Sequence, residues 1–309
     1  MSIAGIDPNR ARRLRTRATY AALAAAAVLI AAKFAAWLGS GSVALLSSLI
    51  DSLVDAAASV VNFIAVKHAM TPADREHRFG HGKAEPLAAL GQSAFLIGSA
   101  LWLLAEAVQR LMWPVAVENG GAVIAVMIFS TIVAIGLVVY QRHVVGITRS
   151  LAIGADEIHY RGDVVLNLAV IAAIVLTTWL KLPILDPLFG GAAGLWIIWR
   201  AIGIIRLSLT QLMDHELPDD ERARIRGIAE RQTGVTAVHD MRTRIAGPTA
   251  FIQLHLEMDG DMNLLRAHEI ADGVEAELRR AYPGAEIIIH QDPAGVEEPP
   301  VFQSGTAGR

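Results

Sequence analysis

The chain has 309 residues, of which 53% are hydrophobic and 18% are charged, with a formal net charge of −3 at pH 7. This balance is too apolar for an ordinary soluble enzyme of this length and indicates a membrane protein. Because the sequence contains no cysteine, disulfides and thiolate metal ligands are excluded. A metal site must therefore use His, Asp, Glu or backbone oxygen atoms.

The chain starts with a basic segment, residues 1–17, and continues into an alanine-rich apolar run, residues 18–38. A cleaved signal peptide has the same order of parts. The run is nevertheless long enough to cross a bilayer, and no small-residue cleavage site ends it. We therefore expect a basic cytoplasmic N-terminus followed by a first membrane span.

Six segments in all are long and apolar enough to span a membrane. A hydrocarbon core of ~30 Å requires about 20 apolar residues of helix, and helix is expected because lipid offers backbone groups no hydrogen-bond partner. The six segments are 18–38, 43–68, 84–112, 120–143, 158–180 and 184–207. The sequence thus predicts an all-α, six-helix transmembrane bundle over residues 18–212.

The distribution of Lys and Arg among the loops predicts the orientation of these spans. Basic residues gather before the first span, between the second and third spans, and between the fourth and fifth spans. The alternate loops contain only Lys181. By the positive-inside rule, the N- and C-termini are both cytoplasmic, and an even number of spans agrees with this orientation.

Residues 213–293 have the pattern of a small soluble α+β domain. Helical periodicity covers 218–232 and 263–282, and strand patterns cover 235–245, 250–258 and 285–290. The order αββαβ predicts an open-faced sandwich, in which helices cover one side of a sheet. The remaining residues, 294–309, are predicted to form a disordered tail.

Four ionisable residues lie inside predicted spans. Asp51 and Asp55 belong to the second span, and His159 and Asp163 belong to the fifth. Each pair is spaced i, i+4, so its two members share one face of a helix. A carboxylate at mid-membrane costs roughly 2.5–3.5 kcal/mol, so these residues indicate a site. If the two helices pack side by side, the four side chains form a tetrahedral set that zinc accepts.

An alternative interpretation is that these residues cap helix ends or pair with a cation, Arg161 or Lys33. Arg161 lies two residues from each member of its pair and should point elsewhere. A single imidazole among carboxylates favours zinc, ferrous iron or cadmium over manganese or magnesium. Because metal binding needs a neutral His159 and ionised aspartates, protons and metal compete for the site, which suggests proton antiport.

A second group of possible ligands lies in the loop between the second and third spans. Asp74, His77 and His81 have a spacing compatible with a metal site on one short segment. A solvated polar loop with two ordinary histidines accounts for the same spacing equally well. Both interpretations remain open from the sequence alone.

Five of the ten histidines lie in or near the soluble domain: His215, His239, His255, His268 and His290. Asp292 follows His290 by two residues. One buried histidine is more often a satisfied core residue than a ligand. Four histidines with Asp292 in about fifty residues favour a metal site. No HExxH motif is present, so a zinc peptidase has no support.

Four motifs resemble the cation diffusion facilitator family, specifically its bacterial zinc and ferrous-iron efflux branch, over residues 15–293. They are LIDSLVD at 49–55, FGHGKAE at 79–85, ADEIHY at 155–160 and IIHQDP at 288–293. The resemblance implies a homodimer in the lipid of the bacterial inner membrane, with six spans per protomer. It also implies export of Zn2+, and also of Fe2+ and Cd2+, by proton antiport through alternating access.

The resemblance further implies roles for individual residues. The transport site maps onto Asp51, Asp55, His159 and Asp163, and a loop site maps onto Asp74, His77 and His81. A binuclear, regulatory site maps onto His239, His255, His268, His290 and Asp292, with a possible backbone oxygen of Gln291. A salt bridge between Lys83 and Asp214 would join the membrane part to the metallochaperone-like domain.

A departure from the family pattern and two rival functions accompany this interpretation. Arg161 and Gly162 put an additional positive charge beside the transport site. A membrane-anchored metal sensor or scaffold would not need carboxylates at mid-membrane. An intramembrane metal-dependent hydrolase would need an open coordination position, whereas four protein ligands close this one. We therefore expect a transporter that is not an enzyme, needs no catalytic cofactor and binds no nucleic acid.

Overall fold

The structure is a computed structural model that describes residues 7–40, 43–113, 121–180 and 185–296. The chain divides into two compact units. Of the described residues, those up to 215 belong to the first unit together with 246–248, and those in the stretches 216–245 and 249–296 belong to the second. Most of the tail predicted at 294–309 lies outside the described residues.

Six long helices form the described part of the first unit. They are α1 (Pro8–Ser40), α2 (Val43–Ala69), α3 (Ala84–Met112), α4 (Gly121–Thr148), α5 (Leu151–Leu180) and α6 (Leu185–Leu212). Over the described residues, all of these except α5 are apolar and long enough to cross a membrane. The first half of α5 carries the charged residues Asp156, Glu157, Arg161 and Asp163. The predicted six-helix arrangement is confirmed.

Helix α5 packs against several of the other helices of this unit. It contacts α4 and α6 extensively and also touches α2 and α3. Every residue from 151 to 160 is buried, and α5 contributes to three separate apolar clusters, through residues such as Ile153, Ile158 and Tyr160. The charged half of α5 is therefore shielded from lipid by protein, where polar side chains can find partners.

The outer surface of the helices is apolar. Large side chains such as Trp102, Ile132, Val139 and Trp199 are exposed. Apolar surface of this extent is unusual for a soluble monomer and is the surface that a lipid bilayer covers. The first unit therefore has the exterior of a multi-pass membrane protein.

The second unit has the order αββαβ, as the sequence predicted. Its elements are α7 (Asp219–Glu230), β1 (Ala237–Ala246), β2 (Thr249–Met258), α8 (Leu264–Ala281) and β3 (Glu286–Pro293). The strand order is β1-β2-β3, and β2 pairs in parallel with β3, placing His255 beside His290. Strand β3 runs past the predicted end at residue 290, because pairing with β2 continues to Pro293.

Alternation along β2 separates the two faces of this sheet. Ile252, Leu254 and Leu256 are buried and pack with residues of α7 and α8, among them Ile225 and Val274. The intervening residues, including His255, point to the other face because successive strand residues alternate. The helices therefore cover one side of the sheet and leave polar ligand groups on the other.

Candidate metal centres

The first centre lies between α2 and α5, which pack against each other. Oδ1 of Asp55 on α2 is 2.9 Å from Nε2 of His159 on α5. Asp163 follows one helical turn later, and one ligand atom from each of the three residues lies within 4.8 Å of the others. His159 is only 7% exposed. Two carboxylates and one imidazole thus converge inside the helical unit.

Asp51 is outside this three-residue group but lines the same cavity. The cavity has a volume of about 360 Å³, and Asp51, Asp55, His159 and Asp163 all contribute to its wall. Apolar residues of α3 and α6, such as Ile197, form much of the remaining lining. The structure therefore brings three of the four predicted ligands together and places the fourth at the same space.

The two cations named as alternative partners have other contacts. The guanidinium of Arg161 pairs with Glu157, one turn earlier on α5. The ammonium of Lys33 donates to the carbonyl of Ser48 at 3.1 Å and to Oγ of Ser52 at 2.6 Å. The extra positive charge of Arg161 beside the site is thus neutralised by the carboxylate of Glu157. Sequence reasoning missed Glu157, although its i, i+4 spacing from Arg161 was a usable signal.

Asp156 is a further acidic residue that the sequence reasoning did not use. It is 1% exposed. Its carboxylate accepts hydrogen bonds from Gln141 Nε2 at 2.5 Å, Gln92 Nε2 at 3.3 Å and Ser59 Oγ at 3.4 Å. These donors belong to α4, α3 and α2, so one carboxylate joins α5 to three neighbours.

The second centre is the loop cluster Asp74, His77 and His81, whose ligand atoms lie within 4.8 Å of one another. His81 Nε2 is 3.3 Å from Asp74 Oδ2, and His77 Nδ1 is 3.5 Å from Asp74 Oδ1. The backbone N–H groups of His77 and Glu76 donate to Asp74 at 2.6 Å and 2.9 Å. These bonds, that of His77 first, hold the pKa of the Asp74 carboxyl below its usual range. The loop thus presents an ionised carboxylate to two imidazoles.

The third centre lies on the open face of the sheet in the second unit. His239 on β1, His255 on β2 and Asp292 on β3 have ligand atoms within 4.8 Å of one another. Asp292 Oδ2 is 2.7 Å from His255 Nδ1 and 3.3 Å from His239 Nε2. His290 Nε2 lies 3.0 Å from Asp292 Oδ1. Four of the five predicted residues therefore meet across three neighbouring strands.

His268 is the predicted residue that the structure does not bring to this group. It lies on α8, is mostly exposed and faces Asp272 at 3.5 Å. The reason is geometric, since α8 packs on the buried face of the sheet, whereas His255 points to the open face. Sequence reasoning missed Glu257, whose Oε1 is 3.2 Å from His239 Nδ1 at the edge of the centre.

Lys83 and Asp214, the predicted salt bridge, form an ion pair within the first unit. Nζ of Lys83 is 3.0 Å from Oδ2 of Asp214 and 3.4 Å from the carbonyl oxygen of Leu212. Lys83 precedes α3 and Asp214 follows α6, so the pair joins the ends of two contacting helices. Both side chains are partly exposed, so the direct contribution to stability is at most about 1 kcal/mol.

Comparison with known proteins gives matches over both units. A family model described as the cation efflux transmembrane domain matches residues 19–213, and one described as the cation efflux protein cytoplasmic domain matches residues 217–294. The cation-efflux pump FieF of Serratia proteamaculans (strain 568) is 45% identical over 291 residues, 94% of this chain and 96% of that protein. The same-named pump of Klebsiella pneumoniae is 44% identical over 293 residues, 95% of this chain and 97% of that protein.

Solved structures match the second unit. The Zn form of CzrB is 36% identical, covering 28% of this chain and 99% of that chain, with a TM-score of 0.26. The metal-bound C-terminal domain of the CzcD transporter from Thermotoga maritima is 28% identical, covering 26% of this chain and 100% of that chain, with a TM-score of 0.25.

Proposed function

Since the chain belongs to the cation diffusion facilitator family of cation-efflux transporters, we propose that it exports zinc, and also ferrous iron and cadmium, by metal/proton antiport. It is a transporter of divalent metal cations in the inner membrane and not an enzyme. The observation that carries the proposed mechanism is the convergence of Asp55, His159 and Asp163 between α2 and α5. We assign the transport site to these residues together with Asp51.

The choice of metal follows from the chemistry of the donor set. Three carboxylates and one imidazole supply four ligands, the number that zinc accepts in a tetrahedral site. Imidazole also suits iron and cadmium, whereas an all-oxygen set would favour manganese or magnesium. His159 is therefore the ligand that biases the site toward softer divalent ions.

Proton coupling follows from the electrostatics of the same set. Ionised carboxylates surrounded by apolar walls are costly unless a dication or protons neutralise them. Metal requires a deprotonated site, so each state of the site holds either metal or protons. If the site binds metal when it opens to the cytoplasm and binds protons when it opens outward, alternating access exchanges cytoplasmic metal for external protons. Both termini are cytoplasmic in this proposal.

The clusters outside the membrane would serve separate roles. We assign Asp74, His77 and His81 to a loop site near the cytoplasmic ends of α2 and α3. The open-face cluster of the second unit, which matches the family's cytoplasmic domain, would bind regulatory metal in a homodimer. Since α8 holds His268 away from this face, His268 would act as a ligand only in a site completed by a second copy of the chain.

A membrane-anchored sensor without transport is the alternative, and it would need only the cluster on the sheet. It leaves the carboxylates between α2 and α5 without a purpose despite their cost in a membrane. Family membership and the cluster between α2 and α5 together favour transport.

Zinc flux into vesicles that contain the reconstituted full chain tests the assignment. Replacing Asp55 by Asn or His159 by Ala should abolish flux, because the first change removes the charge of a carboxylate ligand and the second removes the imidazole ligand. The matched control is His143→Ala, since His143 is an exposed histidine of α4 outside all three clusters. The control should retain normal flux. Flux at the wild-type rate in the Asp55 or His159 variant would overturn the assigned site.

A further inference from the structure

A third histidine stands next to the loop cluster and has no part in the function proposed above. His68 lies in the last turn of α2. Its ring centroid is 4.4 Å from that of His81, and the two planes are inclined at 63°. The ring of His77 approaches His81 to 4.5 Å. His81 therefore has one imidazole neighbour from the membrane helix and another from the loop.

The loop cluster leaves room for another ligand. Asp74, His77 and His81 each supply one ligand atom, whereas protein-bound zinc in closed sites is almost always four-coordinate. His81 is only 8% exposed, yet its Nδ1 atom has no hydrogen-bond partner in the part of the chain that the structure describes. A buried polar atom left without a partner is costly. The unpaired Nδ1 atom of His81 therefore favours the binding of a metal ion at this cluster.

We propose that His68 is a fourth ligand of the loop metal site and that a divalent transition-metal ion bound there joins the loop to α2. The inference rests on the loop site of the proposed function. His68 is exposed, so its side chain is free to turn toward an ion held by the other three residues. Three imidazoles and one carboxylate form a closed set of the kind that zinc prefers.

Because of its position in α2, His68 would connect a metal ion in the loop to the helix of the transport site. His68 and Asp55 belong to the same continuous helix, α2. Thirteen residues separate them, which corresponds to about 20 Å along the helix axis. An ion that binds His68 and the loop together fixes the end of the helix that carries two of the transport carboxylates. Metal in the loop would thus bias the position of α2 without touching the transport site.

Binding at the loop site can be isolated in the full-length protein by removing ligands from the other two clusters. The background variant carries Asp55→Ala, His159→Ala, His255→Ala and Asp292→Ala. Its affinity for Zn2+ is measured in detergent by competition with a chromophoric chelator. In this background, His68→Phe keeps an aromatic ring against His81 but removes the ligand nitrogen atoms, so it separates coordination from packing.

We expect His68→Phe to weaken Zn2+ binding about tenfold or more, a loss typical of impaired metal sites. His68→Asp, which supplies a new carboxylate ligand, should recover most of the affinity. His77→Ala serves as the reference for loss of a loop ligand, and His143→Ala should have no effect. Thermal unfolding of each variant shows whether the chain is folded.

The outcomes separate this inference from the proposed function. If His77→Ala weakens binding but His68→Phe stays within twofold of the background, the loop site exists and His68 is not its ligand. If neither substitution changes the affinity, there is no loop site, and both the inference and that part of the proposed function are wrong. Loss with His68→Phe that His68→Asp does not recover also contradicts coordination by His68.

Discussion

At the scale of single residues, we expect His159 to determine which metals the proposed transport site prefers. It is the one imidazole in a set of carboxylates, and Asp55 already holds its Nε2 atom at 2.9 Å. Removing the imidazole while keeping a ligand changes the softness of the site and not the number of donors. Selectivity and binding can therefore be separated at this position.

We predict that His159→Asp shifts the preference of the transporter from zinc toward manganese. An all-oxygen set favours harder cations, and the ratio of zinc to manganese flux should fall by about tenfold or more. A competition flux assay on reconstituted protein measures this ratio. The matched control, His143→Asp, should leave it unchanged, and an unaltered ratio in His159→Asp would show that selectivity is set elsewhere.

Glu157 controls the charge beside the same site. Its carboxylate pairs with Arg161, whose position in the chain is two residues from both His159 and Asp163. Without its partner, the guanidinium would oppose a bound dication by at least about 1.4 kcal/mol at an effective dielectric of 20. The ion pair with Glu157 therefore neutralises the positive charge of Arg161 beside the cation site.

We predict that Glu157→Gln weakens zinc binding at the transport site by about tenfold or more, from this unpaired charge. The double variant Glu157→Gln with Arg161→Gln should return to within about twofold of wild type, because it removes the charge as well. Zinc titration of the full chain, with the loop and sheet clusters disabled, measures both. Equal weakening in the single and double variants would mean that Glu157 acts through something other than Arg161.

At the scale of elements, α5 is positioned by Asp156, the acceptor for side chains of three neighbouring helices. Two of these donors, Gln92 and Gln141, would lose their acceptor if the carboxylate were removed. A buried donor left without a partner costs about 1–3 kcal/mol. The orientation of α5, and with it the transport cluster, depends on this contact.

We predict that Asp156→Ala lowers the Tm of the detergent-solubilised chain by several degrees, whereas Asp163→Ala does not. Asp163 stands near other carboxylates, so its removal reduces like-charge repulsion in the metal-free protein. Thermal unfolding followed by intrinsic tryptophan fluorescence provides the measurement. A Tm that falls equally in both variants would remove the distinction between a structural and a transport carboxylate.

The second unit has its own buried polar pair, Tyr282 and Glu221. The phenol donates to Glu221 Oε2 at 2.7 Å, and both residues are 2% exposed. Burial, together with the nearby carboxylate, raises the pKa of Tyr282 above its usual value. A raised pKa means that folding favours the protonated phenol. Its contribution to stability is complete below the ordinary tyrosine pKa of about 10 and is lost as the pH rises beyond it.

We predict that Tyr282→Phe destabilises this unit by about 1–3 kcal/mol at neutral pH, because the buried hydrogen bond from the phenol to Glu221 is lost. Ionisation of the Tyr282 phenol lowers stability above a pH of about 10, and this decrease should be absent in the variant. Amide hydrogen exchange in residues 217–293 of the full chain reports the free energy of opening. Identical exchange in the two proteins at neutral pH would contradict the role of this pair.

The elements themselves show what the sequence can and cannot predict. The i, i+4 pattern placed Asp55, His159 and Asp163 on faces that meet in the structure, given only that α2 and α5 are neighbours. The start of α5 was predicted at residue 158 instead of Leu151, because the length rule counts apolar residues facing lipid, and residues 151–160 face protein. The position of His268 was beyond prediction, since helical periodicity does not say which side of a sheet a helix covers.

Other residues could not be predicted because sequence patterns relate only residues of the same segment. His68 and the loop histidines come from different elements, and only the fold brings their rings together. The donors to Asp156 likewise come from three separate helices. Long-range contacts of this kind leave no spacing signal in the chain.

At the scale of the whole molecule, family membership and composition agree on a multi-pass efflux protein whose second unit resembles a cytoplasmic metal-binding domain. Each unit gathers histidine and aspartate side chains from separate elements. In the first unit the cluster lies among apolar helices, where uncompensated charge is costly. In the second unit the cluster lies on the open face of a sheet. In the proposed mechanism, only the first placement makes protons and metal alternate.

The most direct test of this account follows zinc and protons together in vesicles that contain the full-length chain. The account predicts that zinc entering the lumen drives protons out, that an imposed outward proton gradient accelerates zinc entry, and that Asp163→Asn abolishes both movements together. Zinc transport that proceeds at an unchanged rate without any counterflow of protons, or that persists in Asp163→Asn, would contradict it.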